Sequence, residues 1–231
     1  VNELQNQQSC QTSVTGSAGV KEKFDFNTIQ DFDNHIDKSI PNYNILISTI
    51  LSISDYFITK DTTIYDLGCS TGKLLIDIDY PNLKIGYDNS NLMPKHSNPV
   101  HFIEADLNKF FEITNACIVY SIFTMQFLNR DARYNYCETV YNGLNEGGAF
   151  ILCEKIYQEN GLIQEILSFS HYDYKLNHFS AKEIIDKEKD LRYIMKPNTL
   201  MQNVELLKKV GFKNISTFWQ SYNFVGLIAI K

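Results

Sequence analysis

Acids at the ends of short apolar runs, the first with two glycines beside it, are the residues of this chain best placed to do chemistry. Ile64-Tyr65-Asp66-Leu67-Gly68-Cys69-Ser70-Thr71-Gly72 reads as a buried strand entering a glycine-punctuated turn, with a helix from near Lys73. Gly68 and Gly72 let the backbone turn tightly and approach a ligand closely, because no Cβ stands in the way. The helix start that follows offers free N–H groups. Taken alone, the stretch also describes an ordinary strand–turn–helix corner. Residues 83–88 form a second strand ending in Asp88, about twenty residues past Gly68, the spacing that puts a carboxylate at the neighbouring strand tip. There it can accept hydrogen bonds from both ribose hydroxyls of a nucleoside. A third strand, 100–105, ends in Asp106-Leu107, where a carboxylate can take the exocyclic amine of an adenine. An acid after a strand is also a common helix cap.

A second group lies far downstream. His171 is the candidate general base should an acceptor need deprotonating, with Asp173 to orient it and Tyr172 or Tyr174 nearby. The same cluster also reads as a packed helix surface. His35, His96, His101 and His178 read as structural or exposed.

The elements that must position these groups alternate strand and helix, which predicts a parallel sheet with covered faces. The fourth strand, 116–122, is apolar throughout, as a central strand buried on both faces should be. A helix over 131–144, a turn at 145–148 and a fifth strand at 149–155 follow. An inserted segment, 156–196, reads as two helices meeting near His178-Phe179-Ser180, with Ser180 and Glu183 set as a capping box; substrate selection is expected there. A helix over 199–210 ends at Gly211, and two closing strands, 215–222 and 224–230, form a hairpin. Ahead of the first strand, apolar residues from Phe24 to Ile40 and from Tyr43 to Phe57 recur at helical spacing. Helices in that position often roof such a site, which makes Tyr43 a candidate lid residue.

The chain has 231 residues with a net charge of −6, enough for one substantial core and unsuited to direct nucleic-acid or anionic-membrane binding. No apolar run reaches membrane-spanning length and no signal peptide is visible. Five scattered cysteines without metal-ligand spacing read as reduced thiols of a cytoplasmic protein, and no metal is expected. Residues 1–19 are too polar to bury much surface and read as a flexible tail, leaving one domain over 20–231. Val1 in place of Met suggests a processed chain or a piece of a longer one.

The turn departs from the dinucleotide fingerprint and resembles motif I of the S-adenosylmethionine-dependent methyltransferases, with Ser70 in place of the central glycine. From about Phe24 onward the chain resembles the carboxy-S-adenosylmethionine synthases, on Ser39-Ile40-Pro41-x-Tyr43, Asp66-Leu67-Gly68-Cys69-Ser70, Asp88-Asn89-Ser90, Gln126-Phe127-Leu128, Glu154-Lys155, His171-x-Asp173-x-Lys175 and Trp219-Gln220-x-x-Asn223-Phe224. The resemblance implies a Rossmann-like methyltransferase fold: a mostly parallel seven-stranded sheet with an antiparallel C-terminal strand, an N-terminal helical lid and a helical insertion after strand five. It implies S-adenosylmethionine as the bound nucleoside, held by Tyr43, Asp66, Gly68, Cys69, Ser70, Asp88, Asn89, Asp106 and Leu107. It also implies a homodimer and a reaction with prephenate that yields a carboxylated sulfonium for wobble-uridine modification of transfer RNA. Two positions of the substrate pocket, which also takes in Tyr174, depart from the family. Its carboxylate-gripping arginine is matched by Glu188, between Lys187 and Lys189, where a carboxylate would repel a carboxylated product; a one-residue slip would bring in a lysine, a point charge without the guanidinium fork. An asparagine after strand four is matched by Ile122. On those departures the expected activity is an S-adenosylmethionine-dependent methyltransferase acting on a small-molecule or carrier-bound acceptor. Carboxy-S-adenosylmethionine synthesis is the alternative, and a catalytically silent binding module the third.

Overall fold

The computed structural model describes residues 31–94 and 100–231. The tail expected over 1–19 and the start of the first helix, with Phe24, Phe26 and Ile29, lie outside the described residues. Seven strands, β1 Thr63–Leu67, β2 Leu83–Asp88, β3 Val100–Glu104, β4 Ala116–Ile122, β5 Leu144–Lys155, β6 Asn214–Ser221 and β7 Phe224–Ile230, pair in the order β3-β2-β1-β4-β5-β7-β6. β1 to β5 run parallel, and β7 lies antiparallel between β5 and β6. The seven-stranded methyltransferase-type sheet expected from the sequence is therefore present. The chain runs outward from β1 through β2 to β3, then returns to place β4 on the other side of β1. That reversal opens a crevice at the carboxyl ends of the strands, where ligands of open α/β sheets bind.

Side chains alternate along the central strands and supply a core on each face. On β5, Phe150 and Leu152 join one cluster with Tyr65, Tyr136 and Phe212, while Ile151 and Cys153 join the other with Ile64, Leu46 and Leu75. Burial of each large apolar side chain contributes about 1.5–3 kcal/mol. Residues 145–148 differ from expectation. They are not a turn ahead of β5 but a bulge within it, where the pairing with β4 jumps from Ala116–Leu144 to Ile118–Ala149 and Gly147 takes a φ of 75°. A bulge absorbs the extra residues while Leu144 still pairs.

Two helices, α1 Phe32–Ser39 and α2 Tyr43–Ser54, precede the sheet, and α3 Lys73–Asp77 follows β1. α4 Ala132–Gly143 and α7 Leu200–Val210 pack one face. The insertion is α5 Gly161–Lys175 and α6 Ala181–Ile194, the latter begun by the expected capping box of Ser180 and Glu183. Their inner sides meet α1 over the crevice: the ring of His35 lies 5.3 Å from that of Phe179, and Lys187 reaches the imidazole of His35.

Candidate active site

The crevice deepens into a cavity of about 660 Å³, roofed by α1 and α2, floored by the strand tips and walled at one end by α5 and α6. Asp66, at the end of β1, is buried at its base. Burial, and next the nearby charge of Asp88, push its carboxyl up to about 8, so at neutral pH it carries a proton unless a cation comes to rest beside it. The turn after β1 is locked to β2 by Gly68 and Cys69, whose N–H groups both donate to the Tyr87 carbonyl, at 2.7 and 3.0 Å. Asp88 then accepts from the Ser70 N–H at 2.8 Å and the Ser90 N–H at 2.7 Å, one on each carboxylate oxygen. Thr71 donates to Asp33 of α1 at 2.9 Å, tying the roof to the turn. Gly68 makes the tight turn expected of it, with a φ of 84°, and lines the cavity. Thr124 adds a second demand for glycine, because a Cβ there would lie 2.1 Å from its hydroxyl oxygen.

Tyr43, Cys69, Ser70, Asn89, Asp106, Leu107, Ile122 and Glu188 all line this cavity together with Asp66, Gly68 and Asp88. Asp106 is shared with an Asx turn, its Oδ1 accepting from the Asn108 N–H at 3.0 Å. Burial, and then Asp66, raise the Tyr43 phenol, which keeps it protonated.

The far end of the cavity overturns the reading of Glu188 as a lone repulsive charge. Glu188 is buried, and its Oε1 lies 3.1 Å from Lys175 Nζ and 3.5 Å from Lys155 Nζ, while Oε2 lies 3.0 Å from Arg192. Burial alone would raise its carboxyl; Lys155, Lys175 and Arg192 prevail and hold it at about 2. Lys155, Lys175 and Lys187 all face the cavity, so this wall is cationic with its one carboxylate already paired. Burial lowers Lys155 to about 8 against the pull of Glu188, and burial and then Lys175 bring Lys187 to about 8.

The second group expected from the sequence does not assemble. His171 lines the cavity, but Asp173 is exposed two residues along α5, and neither Asp173, Tyr172 nor Tyr174 reaches the cavity. Positions i and i+2 of a helix point to different sides, whereas i+4, here Lys175, shares a face with His171. The Ser39 carbonyl of α1 orients the imidazole instead, accepting from Nε2–H at 2.9 Å. Burial, and then Lys175, lower His171 to about 4, which makes it neutral and a weak base. Tyr174 directs its hydroxyl to the Asp37 carbonyl at 3.4 Å.

No family model matches the chain. A protein of Staphylococcus epidermidis named carboxy-S-adenosyl-L-methionine synthase is 39% identical over 215 residues, covering 88% of this chain and 94% of that one. Proteins of the same name from Shewanella sediminis and Methylococcus capsulatus are 36% and 33% identical, covering 90% and 87% of this chain and 92% and 89% of theirs. The chain belongs to the carboxy-S-adenosyl-L-methionine synthase family. Solved structures agree on the fold. Human N-acetylserotonin methyltransferase in complex with S-adenosylmethionine superposes with a TM-score of 0.55 at 14% identity, over 82% of this chain and 52% of that one. The YcgJ protein of Bacillus subtilis gives 0.57 at 12%, over 77% and 71%.

As a carboxy-S-adenosyl-L-methionine synthase family member the protein is an S-adenosylmethionine-dependent transferase, and its cavity suits that substrate. Among the described residues, the Ser70 and Ser90 hydroxyl oxygens are out of water without a hydrogen-bond partner, both on cavity-lining residues bound to Asp88. Asp66, an acid able to ionise beside a cation, stands on β1, between β2, which ends in Asp88, and β5, which ends in Lys155. No cluster of His, Cys, Asp or Glu among the described residues could hold a metal ion, and none of their helices is long and apolar enough to cross a membrane. In the sequence, Lys155 and Lys175 stand out only as parts of the phrases shared with the family, which give them no role. The signal that could have found Lys175 is its i+4 spacing from His171 on a helix.

Proposed function

We propose that the protein makes carboxy-S-adenosylmethionine from S-adenosylmethionine and prephenate, the reading that the names of its relatives favour over plain methyl transfer. The observation that carries it is the cationic wall of Lys155, Lys175 and Lys187 on the same cavity as Asp88. Asp88 ends β2 and Lys155 ends β5, three strands away, a separation of roughly 14 Å at about 4.8 Å per strand. A nucleoside with its ribose on Asp88 and its adenine toward Asp106 and Leu107 then directs its sulfonium past Asp66 toward the lysines. Tyr43, Cys69, Ser70 and Asn89 complete that cradle. The positive sulfur acidifies the methyl group attached to it. In the balanced reaction the methyl carbon bonds to the ring carboxyl carbon of prephenate. The bond from that carboxyl to the ring breaks, the ring hydroxyl leaves, and hydroxide and the methyl proton depart as water with phenylpyruvate. Aromatisation drives the step, and no separate strong base is required, which fits a His171 held near 4. The lysines orient the anionic partner and offset its charge as the site closes over it.

The product is a diffusible carboxymethyl donor. We assign its use to wobble-uridine modification of transfer RNA by another enzyme, in the cytoplasm; a net charge of −6 suits a protein that need not grip RNA. Leu162, Ile166 and Phe169 expose an apolar stripe along α5, continued by Leu176 just past its end, and we place the homodimer contact there. Sedimentation at micromolar concentration is expected to give a dimer, and a single species at 26.7 kDa would contradict it.

Prephenate carrying ¹³C in the ring carboxyl, incubated with S-adenosylmethionine and the enzyme, is expected to yield a labelled carboxylated sulfonium by mass spectrometry. Unchanged S-adenosylmethionine would sink the proposal. Ile122 favours a second reading, methyl transfer to an uncharged acceptor, because it puts an apolar side chain on the cavity wall; demethylated donor formed without prephenate would support it.

The lysines also set a pH dependence. Lys155 and Lys187 are charged below about 8 and neutral above it, and only the charged forms attract a carboxylate. Prephenate affinity is therefore expected to hold from pH 6 to 7.5 and to fall by roughly tenfold per pH unit above 8 for each lysine that loses its proton. Calorimetry in buffers of different ionisation enthalpy should show proton uptake on binding near pH 8. An affinity that rises through pH 9 would refute the assignment.

A further inference from the structure

We propose that Lys155 and Lys175 form a carboxylate-binding subsite which Glu188 itself fills, and that a substrate carboxylate enters by displacing Glu188 outward toward Arg192. The inference deepens the synthase reading by naming the groups that take the carboxyl of the anionic partner, and rests on that reading for the partner's identity.

The geometry has an inner and an outer half. Oε1 of Glu188 faces the two buried lysines, at 3.1 and 3.5 Å, and Oε2 faces Arg192, at 3.0 Å. The side chains of Lys155 and Lys175 are 10% and 7% exposed, whereas that of Arg192 is 48% exposed. Glu188 is also the partition between two spaces. It lines the large cavity and, from the other side, a smaller one of about 210 Å³ formed with Tyr172, Ile184, Ile185, Lys189 and Arg192. Room for an outward rotation therefore exists on the side where Arg192 waits. Arg192 is itself steadied by a hydrogen bond from its guanidinium to the Tyr157 hydroxyl at 2.6 Å.

Two buried ammonium groups cannot be left without an anion, because an uncompensated buried charge is strongly destabilising. Glu188 meets that need until another carboxylate replaces it. Exchanging one carboxylate for another keeps every charge paired, so an anionic partner can open the subsite. A neutral molecule of the same shape would strand both lysines and is rejected by that cost. Glu188 thus selects for charge from inside the wall, although its own charge is that of the ligand it admits.

Calorimetric titration with malonate, a simple dicarboxylate that cannot react, tests this on the full chain. Glu188→Gln removes the internal competitor and is expected to tighten malonate binding about tenfold or more, and Lys175→Met to weaken it by at least as much. Unchanged or weaker binding by folded Glu188→Gln overturns the proposal. Should Glu188→Gln not fold, Arg192→Gln is compared with Lys189→Gln, which removes a positive charge from the same small cavity. Arg192→Gln denies Glu188 its outward partner and should weaken malonate several-fold while Lys189→Gln leaves it unchanged; equal effects overturn the proposal. Because the readout is binding, the two readings fail separately. Carboxylated product with no Glu188→Gln effect refutes the subsite alone, and the expected malonate pattern without carboxylated product refutes the synthase alone.

Discussion

Asp88→Ala is expected to weaken S-adenosylmethionine binding about a hundredfold or more in calorimetric titration. In the proposed pose the carboxylate accepts both ribose hydroxyls while holding the Ser70 and Ser90 N–H groups at 2.8 and 2.7 Å. Hydrogen bonds to a charged group contribute about 1.5–3 kcal/mol each, so losing two removes about 3 kcal/mol or more, or about two decades in Kd. The turn after β1 also loses its tether, which adds to the effect. Asp106→Ala is the comparison: its carboxylate is largely committed to the Asx turn with Asn108, and the expected loss is tenfold or less. A folded Asp88→Ala protein that binds within threefold of wild type would show that the ribose lies elsewhere.

Gly68→Ala is expected to lower stability by about 2–5 kcal/mol before any ligand is considered. A Cβ would lie 2.1 Å from Oγ1 and 2.5 Å from Cγ2 of Thr124, and the backbone there has φ of 84°. The left-handed conformation costs a non-glycine residue about 1–2 kcal/mol, and forcing a methyl into a filled space about 1–3 kcal/mol. For a chain of this size that is a fall in Tm of roughly 10 °C. Adding Thr124→Gly relieves the clash but not the dihedral strain, so the double variant should recover part of the loss. Full recovery would mean that strain contributes nothing, and an unchanged Tm in Gly68→Ala would contradict the turn geometry itself.

What was legible in the sequence is what local spacing encodes. Asp66 and Asp88 stand at the ends of β1 and β2 and Asp106 two residues past β3, so a short apolar run closed by an acid brings each carboxylate to the same rim of neighbouring parallel strands. The capping box at Ser180 and the stop at Gly211 are local in the same sense. The cationic wall was not legible, because it is a relation through space. Lys155 comes from a strand, Lys175 and Glu188 from two different helices, and only their convergence turns an apparent repulsion into a paired charge. The orientation of His171 was missed for a related reason: its partner is a main-chain carbonyl of α1, Ser39, which no side-chain spacing announces. The bulge at 145–148 was hidden because Asn-Glu-Gly-Gly serves a turn and a bulge equally well.

In the proposed complex one cavity binds an adenosine sulfonium at its strand-tip end and directs the reactive methyl to a lysine wall. A crystal structure of the protein with S-adenosylmethionine tests this most directly. Both ribose hydroxyls should sit on the Asp88 carboxylate, with the sulfonium methyl turned toward Lys155 and Lys175. A nucleoside bound away from Asp88, or a methyl group turned toward Ile122 with its back to the lysines, would contradict it.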